Sequence, residues 1–526
     1  MDITHKITRR EFLRTAAFGS LVFFSSSVLR STKVFGQSGS IDAEPDLVIE
    51  LRSVLKKVPL LPGPETAFWC YEGKVLKGDS SVIQQMEGSY LGPTLHLRRR
   101  QKVRIIYKNE INEPSIIHWH GLHLPEEMDG HPRFVIPHGE IYTYEFEVKN
   151  RAGTYWYHPH PHRRTGPQVY GGLAGLLIVH DEEEEKADLP SGIRDIPIVL
   201  QDRTFDDQNQ LVYLTSMMDQ MNGFLGNRIF VNGRPDRSIS VESAPHRLRI
   251  LNGSNSRIFK LAFSPDIPLT VIGTDGGLLE RPVELPYAVL GPGERLDLWV
   301  DFQKVWNNSE FVLKSLPFFT GASGMMRGMH GRGMMGPARS TDTLPSGTEF
   351  DILRFRIRPG SKGLMLPQRL SRMGGHSIDE AINRNSPRRF SFSMQGMRPT
   401  INGRLFELNG VTDEETVRLN TTEVWEFHNT TGMGMMGMPQ MAHPVHIHGL
   451  QFQVINRNVY GSDFETWESL KDGFVDSGWK DTVLLLPGMA VKILLKFEDH
   501  AGLFLYHCHN LEHEDLGMMR NYLIRS

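Results

Sequence analysis

The chain has 526 residues, 39% hydrophobic and 23% charged, the profile of a soluble globular protein with room for roughly three domains. A formal net charge of −3 offers no basic face for nucleic acid and so excludes that class of partner. With 50 Gly and 31 Pro, the composition favours short strands and many turns over long helices.

At the N-terminus, Thr8-Arg9-Arg10-Glu11-Phe12-Leu13 precedes an apolar stretch, Ala16 to Leu29, broken by serines. That stretch falls short of the roughly 18–20 residues needed to cross a bilayer, so it reads as a signal segment and not as an anchor. Paired arginines directly before Phe-Leu resemble the twin-arginine export signal. The resemblance implies the twin-arginine machinery as a partner, export of the folded protein to the periplasm or beyond, and removal of a segment spanning about residues 1–40. The sequence offers no other membrane-anchor candidate.

Past the signal, a fixed order of pieces recurs. Val103-Arg104-Ile105-Ile106 leads to His118-Trp119-His120-Gly121, then to a turn at Gly139, the alternating strand Tyr142–Val148, and His158-Pro159-His160. The run Glu182–Glu185 before Pro190-Ser191-Gly192 reads as a solvated linker closing this unit. His246–Asn252 and Gly291-Pro292-Gly293-Glu294 before Leu296–Phe302 repeat the strand and the turn without the histidines. Val424-Trp425-Glu426-Phe427 leads again to His446-Ile447-His448-Gly449, a turn at Gly488, a strand at Val491–Phe497, and His507-Cys508-His509. Gly139 precedes His158 by the same interval that separates Gly488 from His507. Matching order and spacing predict an all-β chain of three sandwich domains, at 41–184, 185–366 and 367–526.

Residues i and i+2 on a strand point to one face, about 7 Å apart. His118/His120, His158/His160, His446/His448 and His507/His509 are four such pairs, and their duplicated positions point to a cluster of metal ions. Cys508 lies between two of them and so faces the other way. With His443, His513 and Met518 nearby in sequence it forms the His₂Cys-plus-Met set of an electron-transfer copper site; zinc accepts the same Cys and His ligands, but a thioether favours copper. The other cysteine, Cys70, reads as a buried free thiol.

His118-Trp119-His120-Gly121, His158-Pro159-His160, His443-Pro444-Val445-His446-Ile447-His448-Gly449 and the run from His507 to Met519 resemble the four copper motifs of multicopper oxidases. The stretch His158 to Val179 is most similar to bacterial copper-efflux oxidases and laccase-like metallo-oxidases. The resemblance implies three cupredoxin-like Greek-key β-sandwich domains and four copper ions. It places a type 1 copper on His443, Cys508, His513 and Met518, and a type 2 copper on His118 and His446. One type 3 copper falls on His120, His158 and His509, and the other on His160, His448 and His507. Asp129 and Glu514 correspond to the family's two proton-delivering acids. The implied partners are dioxygen and a reduced metal ion or small phenol, with the protein a monomer.

The 23 methionines include two clusters: Met325, Met326, Met329, Met334 and Met335 in a Gly-rich loop at 321–337, and Met433, Met435, Met436, Met438 and Met441 just before His443. Thioethers prefer Cu(I), although Met also fills apolar gaps. The clusters predict a metallo-oxidase of Cu(I), with Fe(II) as a second metal substrate, serving copper tolerance. Pro439 stands where copper-efflux oxidases carry an acid, so a cuprous site here must be built differently. The alternatives are a laccase-like oxidase of phenols and aromatic amines, a non-catalytic cupredoxin-fold protein of the cell envelope, and a copper-storage protein.

Overall fold

The computed structural model describes residues 44–305, 310–320, 344–360, 363–395, 398–429, 441–460 and 464–526. The signal segment, the loop at 321–337 and Met433, Met435, Met436 and Met438 lie outside the described residues.

Six sheets stack in three pairs. The first pair joins a four-stranded sheet (Thr66–Lys77, Leu47–Val58, Lys102–Asn109, Ile141–Glu147) to a five-stranded one ending on Gly153–Pro159 and Ile117–His120. The second and third pairs each set six strands against five, over Asp195–Arg358 and Arg388–Arg525. Parallel neighbours such as Leu47–Val58 beside Lys102–Asn109 show the crossovers of Greek-key sandwiches. The expected all-β, three-sandwich architecture is what the chain adopts.

The recurring pieces take equivalent places. Lys102–Asn109 pairs antiparallel with Ile141–Glu147, Pro245–Asn252 with Arg295–Asp301, and Thr421–Asn429 with Met489–Phe497. In the first of these strands burial alternates residue by residue, with Val103, Ile105 and Tyr107 fully buried. Gly139, Gly293 and Gly488 open the second strand of each pair with φ of 82°, 84° and 68°, a left-handed turn that glycine takes without strain. Large apolar cores fill the sandwiches, around Ile105 and Trp119 in the first, Leu248 and Leu298 in the second, and Trp425 and Ile493 in the third. Cys70 is a buried free thiol, its pKa pushed up to about 12 by burial.

The run Glu182–Glu185 is solvated only in part: Glu182 and Glu185 are exposed, but Glu184 is buried. Asp181 caps a short helix, Glu182–Lys186, by accepting from the amides of Glu183 and Glu184. Glu184 turns inward to pair with Arg247 at 2.5 Å, Arg249 at 2.9 Å and His180 at 2.7 Å. Charge runs are normally hydrated, but two buried guanidiniums on Pro245–Asn252 need counter-charges, which Glu184 shares with Asp195 and Asp297. Burial raises the Glu184 pKa, but Arg247 and Arg249 outweigh it and hold the carboxyl far below its ordinary value. Its stabilising effect is therefore complete above the unfolded value of about 4.3 and is lost as pH falls below it. Glu184→Ala should destabilise the fold by about 3–5 kcal/mol at neutral pH, because the arginines lose a buried partner. Thermal melts at pH 7 and pH 4 check this, and the penalty should shrink at the lower pH.

Candidate metal centre

Two strand pairs, one from the first sandwich and one from the third, deliver the histidines. His118 on Ile117–His120 sits opposite His158 on Gly153–Pro159, and His446 on His443–Ile447 sits opposite His507 on Gly502–Cys508. All eight imidazoles of the four pairs are fully buried. They interleave across the sandwiches: His118 stacks on His448 and His120 on His446, each with ring centroids 3.7 Å apart. The Nε2 atoms of His118 and His446 lie 3.2 Å apart, those of His448 and His507 3.1 Å, and those of His160 and His507 3.4 Å.

Metal-sized groupings follow from this packing. His118, His120 and His158 form one, His118, His446 and His448 a second, and His160, His448 and His507 a third. His509 closes on the first, its ring 5.0 Å from His120 and 5.3 Å from His158, with Trp156 lying against all three imidazoles. Burial, and after it the neighbouring imidazoles, holds His118, His120, His158, His446 and His448 well below the ordinary histidine pKa. Neutral imidazole is the ligand form, so the cluster is ready for cations at pH 7.

Second partners fix which nitrogen is free. His118 Nδ1 donates to the Asp129 carbonyl at 2.6 Å, His446 Nδ1 to the Asp481 carbonyl at 2.8 Å, and His448 Nδ1 to Asp129 Oδ2 at 2.7 Å. His120 is reversed: Nε2 meets Asp481 Oδ1 at 3.0 Å, leaving Nδ1 without a hydrogen-bond partner, as are His158 Nε2 and both His509 nitrogens. Buried imidazole nitrogens left unmatched and turned inward are what a bound cation would satisfy.

The second site lies on the far side of Cys508. His443 Nδ1 is 3.4 Å and His513 Nδ1 3.7 Å from its Sγ, and all three residues are buried. Met518 is fully buried; its carbonyl accepts from the Cys508 amide at 3.0 Å and its amide donates to the His513 carbonyl at 2.9 Å. Two imidazoles, a thiol and an adjoining thioether form a soft donor set that suits copper. Burial pushes the Cys508 thiol far up, so a bound cation is what would release its proton.

Both predicted acids reach the cluster. Asp129 is buried against His448, and burial raises its pKa well above the ordinary value. Glu514 lies 3.4 Å from His160 Nε2 and 3.2 Å from His507 Nδ1; burial pushes its carboxyl up, but these imidazoles bring it below the ordinary value. Gly130 lets the Asp129 carbonyl reach His118, because with φ at 85° a Cβ there would stand 2.3 Å from the Ile117 oxygen.

The sequence reading passed over Asp481. Its Oδ1 holds His120, while Arg295 of the middle sandwich grips both oxygens at 2.7 and 2.5 Å. Beside it, Lys480 pairs with Asp275 and Glu294, each at 3.1 Å. Two adjacent charges, Lys480-Asp481, leading into the apolar strand Thr482–Leu485 were the available signal.

Family models described as multicopper oxidase match residues 71–184 and 381–526. The multicopper oxidase mco of Staphylococcus aureus is 33% identical over 452 residues, covering 84% of both chains. The crystal structure of McoA multicopper oxidase from the hyperthermophile Aquifex aeolicus superposes with a TM-score of 0.73 at 33% identity, covering 92% of this chain and 97% of that one. Cell division protein FtsP of Photorhabdus laumondii is 29% identical over 520 residues, covering 97% of both chains. Three cupredoxin-fold sandwiches enclosing a buried histidine cluster beside a His₂Cys set define a copper-binding oxidoreductase. This chain belongs to the multicopper oxidase family, and it is an oxidase enzyme.

Replacing Asp481 with Ala removes the bidentate partner of a fully buried guanidinium and the hydrogen-bond acceptor of His120. We expect a loss of about 3–5 kcal/mol in stability together with copper content below that of the wild type. Calorimetry and metal analysis of the purified variant check both.

Proposed function

We propose that the chain takes single electrons from a reductant at the Cys508 site and passes them to the eight-histidine cluster, where dioxygen is reduced to water. One observation carries this reading: Cys508 faces His443 and His513 while its chain neighbours His507 and His509 face the cluster. An electron then crosses between the sites through a few covalent bonds. Domains at 41–184, 185–366 and 367–526, preceded by the exported signal segment, belong to this proposal.

His443, Cys508, His513 and Met518 would hold a type 1 copper, and His118 and His446 a type 2 copper. His120, His158 and His509 would hold one type 3 copper, and His160, His448 and His507 the other. Copper bound there would supply one-electron redox chemistry and a place for dioxygen to bind. The chain's own share is to orient the imidazoles, exclude water and supply protons. Asp129 against His448, and Glu514 against His160 and His507, are placed to hold and pass the protons that water formation consumes.

For substrate we propose Cu(I), with Fe(II) beside it, in the service of copper tolerance. Two methionine-rich stretches support this, the second ending at Met441, two residues before His443. A laccase-like oxidase of phenols uses the same copper ligands with a different docking surface. The relatives named cell division protein FtsP favour a role in cell division, which the non-catalytic envelope reading would accommodate; against it stands the full set of donors described above.

Cys508→Ser should abolish the blue absorbance and oxidase activity while the cluster keeps its copper, as read by visible spectroscopy and metal analysis. Oxygen uptake by the copper-loaded wild type should follow addition of a reductant; its absence would favour the envelope reading. Side-by-side kinetics on fully loaded enzyme should give a higher kcat/KM for Cu(I) than for a phenol, and the reverse order would support the laccase reading.

A further inference from the structure

A short helix of the middle sandwich, Met217–Asn222, lies against the helix Leu511–Asp515 that carries His513. It belongs to neither methionine cluster singled out in the sequence. Met217 and Met221 stand four residues apart and Met218 and Met221 three apart, so the three thioethers share one helical face. Met217 is 61% and Met218 42% exposed, and Met221 is half-buried. The Met221 carbonyl accepts a hydrogen bond from His513 Nε2 at 2.9 Å, the nitrogen pointing away from Cys508.

The helix is firmly seated. Ser216 and Asp219 form a capping box, and Asp219 Oδ2 also accepts from the Thr215 amide and hydroxyl, so its carboxylate is engaged at the helix start. On either side, Glu512 accepts from the Tyr213 hydroxyl at 2.7 Å and the Phe224 amide at 3.1 Å. What the helix presents to solvent, one hydrogen bond from a ligand of the Cys508 site, is a group of soft donors.

We infer that Met217, Met218 and Met221 form a docking site for the cuprous ion, from which its electron enters through the Met221 carbonyl and His513. The inference rests on the metallo-oxidase reading and deepens it. Thioethers bind soft Cu(I) and hold Cu(II) weakly, so the ion docks in its reduced form and, once its electron has passed on towards dioxygen, leaves as Cu(II). Dioxygen is the final acceptor: four cuprous ions and four protons convert one dioxygen to two waters.

The test uses the copper-loaded enzyme and a Met217→Leu/Met218→Leu variant, which keeps apolar bulk and helix propensity but loses two thioethers. Ag(I), soft and redox-inert here, is titrated calorimetrically, and KM is measured for Cu(I) and for an organic dye. The variant should bind one equivalent of Ag(I) fewer than the wild type, and its ratio of Cu(I) KM to dye KM should rise about tenfold. An unchanged ratio overturns the site whatever the Ag(I) titration shows. A wild type that oxidises the dye but not Cu(I) overturns the metallo-oxidase reading and this site with it.

Discussion

Burying eight imidazoles is the constraint around which the rest is arranged. Most of the rings match one nitrogen and leave the other free, because an unmatched buried polar group is expensive. The carbonyls of Asp129 and Asp481 and the carboxylates of Asp129, Glu514 and Asp481 supply matches along the rim. Strand alternation then gives Cys508 to one group of donors and its neighbours to the other, so spacing along one strand also sets the distance between the His₂Cys set and the histidine cluster.

The middle sandwich contributes no histidine to the cluster, yet it holds the site from outside. Arg295 fixes Asp481, which fixes His120; Tyr213, Phe224 and Asn255 all bond Glu512, next to His513. The copy of the repeat without the His pairs is thus the frame that orients the other two. Buried ion pairs of this kind give position at little net gain in stability, since desolvation offsets most of the Coulomb attraction.

Much of the metal centre was legible because its signals are local. His-x-His on a strand fixes two directions at once, and four repeats of it with one cysteine leave little freedom in how they converge. Gly139, Gly293 and Gly488 were legible too, since a left-handed turn demands glycine. Asp481 and Glu184 were not, because an acid in sequence looks the same whether it meets water or a guanidinium from a distant strand. Met217 and Met218 were not legible, because Met-Met in a short helix carries no periodic or glycine-rich signature; the fold sets their helix against the one that carries His513.

The rings of His118 and His446 meet although 328 positions separate them along the chain. Neither the first nor the third sandwich contributes more than half of the cluster, so no nascent fragment offers a complete pocket. The complete pocket therefore exists only once the third sandwich has docked on the first, within one polypeptide.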